Sequence, residues 1–146
     1  MKLLFLGPAQ TYQLELIHFL KNNKCSVTRY NKKLNDANGD YENYNLLISY
    51  GYRFIISEKI LSLFLNRAIN LHISYLPWNK GADPNLWSFL DDTPKGVTIH
   101  QINKGIDTGH IFFQEKIIFN KNDTLKTSYD KLNKLIYSLK EDGKTI

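Results

Sequence analysis

The sequence predicts an α/β fold, a mostly parallel sheet covered by flanking helices. Three observations carry it. Short apolar runs alternate with segments whose apolar residues recur at helical spacing. The runs are apolar on successive residues rather than on every second one, as strands buried on both faces require. Breaks rich in glycine, proline or asparagine separate the segments.

Each element follows from local chemistry. Lys2 to Leu6 is a first buried strand, ended by Gly7-Pro8. Tyr12, Leu16, Phe19 and Leu20 then form the single apolar stripe of a helix. Cys25 to Tyr30 is a second strand, with β-branched Val27 and Thr28. Residues 31–43 are rich in Asn, Asp and Lys and read as an exposed loop. Tyr44 to Tyr50, around Leu46-Leu47-Ile48, is a third strand that Gly51 ends. Ser57 can cap a helix through Leu65, and Ala68 to His72 is a fourth strand. From Ser74 to Pro84 the pattern stops in a long loop. Asn85 to Leu90 follows as a short helix, then Val97 to Ile102 and Ile111 to Phe119 as strands. Asp123 is read as the cap of a last helix, with Leu125, Tyr129, Leu132, Leu135, Ile136 and Leu139 on its apolar side.

Composition bounds the function. The 146 residues suffice for one domain, and 42% hydrophobic content supports a core. One cysteine, Cys25, excludes an intrachain disulfide and reads as a small buried hydrophobe. No apolar run approaches the ~18 residues of a membrane span, and the apolar start is too short for a signal sequence. The expectation is a soluble cytoplasmic protein. The net charge of +5 could suggest a nucleic-acid partner. The excess basic charge, however, lies at both ends of the chain: residues 70–118 hold four basic and five acidic side chains. A phosphate-tracking surface would concentrate its charge, so no nucleic-acid partner is expected.

Ligands of such sheets bind beyond the carboxyl ends of the strands. That directs attention to the loops at 7–11, 51–57, 72–84 and 103–110. Asn70 and His72 share one strand face, since side chains at i and i+2 point the same way. An amide beside an imidazole can stabilise a developing oxyanion; by itself the pair reads more readily as a loop-proximal His and a turn-satisfying Asn. Gly105-Ile106-Asp107-Thr108-Gly109 brackets a carboxylate with glycines, as either a site-forming or an ordinary turn does. Ser74 to Gly81 holds Tyr75, Trp78 and Lys80 and can shape a cavity or simply pack on the surface. Gly7-Pro8-Ala9-Gln10 lacks the glycines of a dinucleotide loop, and no G-x-S-x-G elbow is present. His72, His100, Asp107 and His110 lack metal-ligand spacing, so no metal is expected. His18, on the first helix, reads as structural.

Taken together, these segments resemble the folate-dependent formyltransferase family. The resemblance rests on Asn70-Leu71-His72, Ser74-Tyr75-Leu76-Pro77, Lys80-Gly81, Gly96-Val97-Thr98-Ile99-His100 and Gly105-Ile106-Asp107-Thr108-Gly109. Gly51-Tyr52-Arg53-Phe54-Ile55-Ile56-Ser57 is similar to the family's folate loop. The resemblance implies a Rossmann-like catalytic core and N10-formyltetrahydrofolate as co-substrate. It implies catalytic roles for Asn70, His72 and Asp107, with His72 held as an imidazolium by Asp107. Tyr52, Arg53, Phe54, Ile56, Ile102, Lys104 and Gly105 would line the folate site. Gly7, Pro8, Ala9, Tyr75, Trp78, Lys80 and His100 would meet the other substrate.

The loop with Tyr75, Trp78 and Lys80 looks most like the sugar N-formyltransferase branch. Those enzymes formylate an amino sugar carried on a nucleotide, for surface polysaccharide, and a homodimer is compatible with that branch. A glycinamide ribonucleotide-type enzyme and a non-catalytic binding module on the same scaffold remain alternatives. Residues 1–146 are expected to form a single catalytic domain, shortened at its C-terminus relative to the family.

Overall fold

The computed structural model describes residues 1–139. The elements run β1 (Lys2–Leu6), α1 (Thr11–Asn22), β2 (Ser26–Tyr30), β3 (Leu46–Tyr50), α2 (Glu58–Phe64), β4 (Ala68–His72), α3 (Pro84–Leu90), β5 (Lys95–Gln101), β6 (Ile111–Ile117) and α4 (Leu125–Ser138). A 3-10 turn, Tyr41–Asn43, interrupts the long loop before β3. The sheet has six strands in the order β2-β1-β3-β4-β5-β6.

Strands β1 to β4 pair in parallel, while β4–β5 and β5–β6 are antiparallel. The connection between β5 and β6 is too short for a crossover helix, so this pair must be a hairpin. Both faces of β1 and β3 are covered, which is why their runs are apolar on successive residues, whereas the edge strand β2 is largely exposed. Leu3 and Phe5 point to the core under α1 and α4, beside Leu16, Leu20, Leu132 and Ile136. Leu4 and Leu6 point the other way, to Ile60 and Phe64 of α2.

Helix starts follow side-chain chemistry. Ser57 caps α2 by accepting from the Ile60 N–H at 3.3 Å. On α4 the cap falls one residue later than the sequence suggests. Thr124, not Asp123, accepts from the Thr127 N–H at 3.1 Å, and Thr127 Oγ1 accepts in return from the Thr124 N–H at 2.8 Å. Asp123 sits outside the helix and pairs with Lys131 at 2.8 Å. Leu125 also departs from expectation. It lies in the first turn of α4 and is 46% exposed rather than in the core. No helix among the described residues is long and apolar enough to cross a membrane.

Candidate active site

Strand β4 delivers Asn70 and His72 to the carboxyl end of the parallel sheet. Its antiparallel register with β5 sets Asn70 opposite His100, and His72 opposite Thr98. Cross-strand partners are near neighbours on one face. Accordingly Asn70 Nδ2 lies 3.3 Å from His100 Nε2. The register of β5 against β6 shifts between Ile99 and His100, a bulge that falls at the site itself.

The β5–β6 loop brings in the carboxylate. Asn103 Oδ1 accepts from the Gly105 N–H at 3.0 Å and from Thr108 Oγ1 at 2.8 Å, and Gln101 N–H bonds the His110 carbonyl at 2.8 Å. Gly109 is required by close approach: a Cβ there would overlap the Gln101 carbonyl. The left-handed residue of this turn is Asp107 itself, at φ +51°.

Asp107 is the hub. Its Oδ1 lies 3.2 Å from His100 Nε2 and accepts from Asn70 Nδ2 at 3.3 Å. Its Oδ2 accepts from the Gly81 N–H at 2.7 Å and lies 3.5 Å from His72 Nε2. Burial pushes its carboxyl up, but the His100 hydrogen bond, the His72 charge and the Gly81 N–H outweigh it and bring the pKa down to about 2. His100, expected against the substrate, is 2% exposed and bonded to the Gln101 carbonyl through Nδ1 at 2.9 Å. It both lines the cavity and buttresses Asp107.

The expectation for the charge of His72 is reversed. Burial is the dominant influence and pushes its pKa down, against the opposing pull of Asp107 and the Asn79 carbonyl. Its Nε2 faces two acceptors, the Asn79 carbonyl at 2.9 Å and Asp107. The hydrogen of the neutral ring therefore sits on Nε2, and Nδ1 is the basic nitrogen. Both shifts favour the form present at neutral pH, so acid destabilises the fold. The His72 contribution is lost as pH falls from its ordinary 6.5 through the lowered value. That of Asp107 is lost from 3.8 down to about 2. Denaturant midpoints should therefore fall between pH 7 and 5, and His72→Gln should flatten that slope; an unchanged slope would rule out this origin.

These groups open into a cavity of about 770 Å³. Tyr52, Arg53, Phe54, Ile56, Ile102, Lys104 and Gly105 line it, as does Pro8. Gly7 and Ala9 lie outside its lining. Gly7 instead fits between strands, where a Cβ would overlap the Tyr50 carbonyl. Tyr75, Trp78 and Lys80 also lie outside. Tyr75 stacks on Trp78 with centroids 6.1 Å apart. Their loop serves the site through its backbone, the Asn79 carbonyl and the Gly81 N–H. His110 packs edge-on against Phe112 at 5.3 Å, away from this cluster. Sequence reasoning missed further polar wall residues, Gln13, Asn85 and Asn133 among them. Each sits on a helix where its polarity reads as a solvent face, and no local motif marks it.

The geometry is a buried carboxylate held by two imidazoles and an amide, on the wall of a cavity lined by several loops. It can polarise a carbonyl and move a proton. Comparison with known proteins agrees in kind. Residues 11–139 match the family model described as formyl transferase. A solved structure, the formyltransferase PseJ from Anoxybacillus kamchatkensis in complex with UDP-4,6-dideoxy-4-formamido-L-AltNAc and tetrahydrofolate, is 51% identical. It covers 97% of this chain and 74% of its own, with a TM-score of 0.90. The phosphoribosylglycinamide formyltransferase of Bacillus halodurans shares the fold at 19% identity, covering 95% of this chain and 91% of its own with a TM-score of 0.79. Among curated proteins, methionyl-tRNA formyltransferase of Wolbachia sp. subsp. Drosophila simulans (strain wRi) is 42% identical over 85 residues. That match spans 58% of this chain and 28% of the relative's length. On the family match and the PseJ likeness together, this chain belongs to the formyl transferase family.

Proposed function

We propose that the chain transfers a formyl group from N10-formyltetrahydrofolate to the amine of a nucleotide-linked amino sugar, of the kind built into surface polysaccharide. The observation that carries this reading is the Asn70–His72–Asp107 cluster on the wall of one cavity. The 51% identity to PseJ, solved with tetrahydrofolate and a formamido sugar nucleotide, supports the choice of substrates. The part of the cavity wall formed by residues 52–56 and 102–106 suits a flat heterocycle. Ile56 is buried there, while the backbone of residues 102–106 offers polar groups at its edge.

The folate supplies an activated formyl carbon whose oxygen gains negative charge as an amine adds. Asn70 has two amide hydrogens, one directed at Asp107 and one at His100 Nε2, and turns the one shared with His100 to that oxygen. Neutral His72 takes the amine proton at Nδ1. The imidazolium so formed is stabilised by Asp107, 3.5 Å from Nε2. Asp107 stays ionised throughout the neutral range because its pKa is about 2. His72 therefore needs no standing charge to act: the proton it takes from the amine is handed to N10 as the formyl C–N10 bond breaks, which releases tetrahydrofolate and returns the ring to its neutral form.

A second reading, formylation of an aminoacyl-tRNA, is favoured by the curated relatives named methionyl-tRNA formyltransferase. A panel of amine substrates decides between the two. With the formyl donor saturating, UDP- and dTDP-linked amino sugars, methionyl-tRNA and glycinamide ribonucleotide are compared by kcat/KM. A nucleotide-linked amino sugar should lead by at least about a hundred-fold. Preference for the tRNA or the ribonucleotide would overturn the proposal.

A further inference from the structure

The charged side chains on the cavity wall are Arg53, Asp83, Lys104, Asp107 and Lys126. All but one are answered. Arg53 pairs with Asp83 at 2.9 Å, Lys104 lies 4.0 Å from Glu58, and Asp107 is held by His72 and His100. Lys126 has no counter-charge among the described residues.

Its isolation is not for want of acids. Side chains three and four residues apart on a helix are neighbours, which sets Asp123 and Asp130 within its range. Both are engaged elsewhere. Asp123 pairs with Lys131 at 2.8 Å, and Asp130 accepts from the Tyr12 hydroxyl at 2.6 Å. Nor does Lys126 serve its helix. It stands in the first turn of α4, where a cation opposes the helix dipole, and no acidic residue in that turn offsets it. The side chain is exposed and its stem is flexible, so a ligand in the cavity can reach the ammonium.

Tyr129 is its neighbour on the same helix face, three residues on, and lines the same cavity. Its ring packs edge-on against Tyr12, with centroids 6.2 Å apart. The Tyr12 hydroxyl is spent on Asp130, whereas that of Tyr129 makes no hydrogen bond among the described residues and is not sealed from solvent. It lies within electrostatic reach of Arg53, which lines the cavity too. Lys126 and Tyr129 belong to α4, which contacts α1 and α3, outside the segments 52–56 and 102–106 assigned to folate.

Resting on the function proposed above, we infer that Lys126 and Tyr129 form the subsite for the diphosphate of the amine substrate. The ammonium supplies the charge, and the hydroxyl beside it donates to a phosphate oxygen. The glutamate carboxylates of folate carry the same anionic chemistry, and the position of the pair outside the folate segments favours the diphosphate.

Lys126→Met and Tyr129→Phe remove the two polar groups and keep the rest of each side chain. Since neither group bonds the protein, both variants should keep the wild-type thermal midpoint. Calorimetric titration with UDP, dTDP, uridine, thymidine and tetrahydrofolate reads the subsite without turnover. Wild type should bind one of the two diphosphates at least about ten-fold more tightly than its nucleoside. Lys126→Met should weaken that diphosphate about ten-fold and flatten its salt dependence, and Tyr129→Phe should weaken it about five-fold. Neither should change the affinity for the nucleoside or for tetrahydrofolate. In turnover, KM for the amine substrate should rise with KM for the folate unchanged. An unchanged diphosphate affinity in Lys126→Met overturns the inference. Weakened tetrahydrofolate binding in its place assigns Lys126 to the folate carboxylates and overturns it equally. An insensitive Tyr129→Phe removes Tyr129 from the subsite. A wild type that binds the diphosphate through Lys126 but formylates no nucleotide-linked amine overturns the proposed function alone. An active wild type with insensitive variants overturns the inference alone.

Discussion

Replacing Asp107 by asparagine is expected to cut formyl transfer about a thousand-fold while leaving the fold intact. An asparagine oxygen still accepts from the Gly81 N–H, which now lies 2.7 Å from Oδ2, so the loop keeps its anchor. What disappears is the charge that stabilises protonated His72 and fixes the Asn70 amide. The loss should therefore appear in kcat, with KM for folate little altered. Circular dichroism and the thermal midpoint check that the variant is folded. A folded Asp107→Asn enzyme within ten-fold of wild type would remove Asp107 from the chemistry.

The largest effect on stability is expected from Phe64→Ala. Phe64 is fully buried at the end of α2, against Leu4, Leu6 and Leu47 of the sheet. Truncating a buried phenylalanine costs about 3–5 kcal/mol, from lost transfer energy and the cavity left behind. In a domain of this size that lowers the melting midpoint by roughly 10 °C. Ile56, which lines the cavity on the side proposed for folate, belongs to the same cluster. The variant should therefore also bind folate more weakly before it melts. A midpoint within about 2 °C of wild type would mean that the α2 face is far less tightly packed than its burial indicates.

Much of this architecture was legible because burial on both faces leaves a plain mark. The runs Leu3-Leu4-Phe5-Leu6 and Leu46-Leu47-Ile48 are apolar without alternation, and they are the central strands. The antiparallel edge was not legible, since the residue types of Val97 to His100 do not set the direction of the strand, and Thr98 and His100 are buried as deeply as Val97 and Ile99. Two-residue strand spacing set Asn70 and His72 on one face and glycines framed Asp107, but only the resemblance to the formyltransferase family singled them out as catalytic. The partnership of His100 with Asp107 was not found, because it depends on strand register and a bulge that residue types do not reveal. The charge state of His72 was misread for a related reason. A neighbouring carboxylate can be guessed from motifs, but the depth of burial that opposes it arises only from tertiary packing. Tyr75, Trp78 and Lys80 drew attention by their side chains, whereas their loop contributes backbone groups. Gln13 and Asn85 look like polar helix residues until the fold buries them.

The most direct measurement is a single-turnover reaction with isotopically labelled formyl donor, excess enzyme and a nucleotide-linked amino sugar. The label should appear as an amide on the sugar, with tetrahydrofolate released mole for mole. Label recovered only as formate, or left on the folate, would contradict a transferase acting through Asn70, His72 and Asp107.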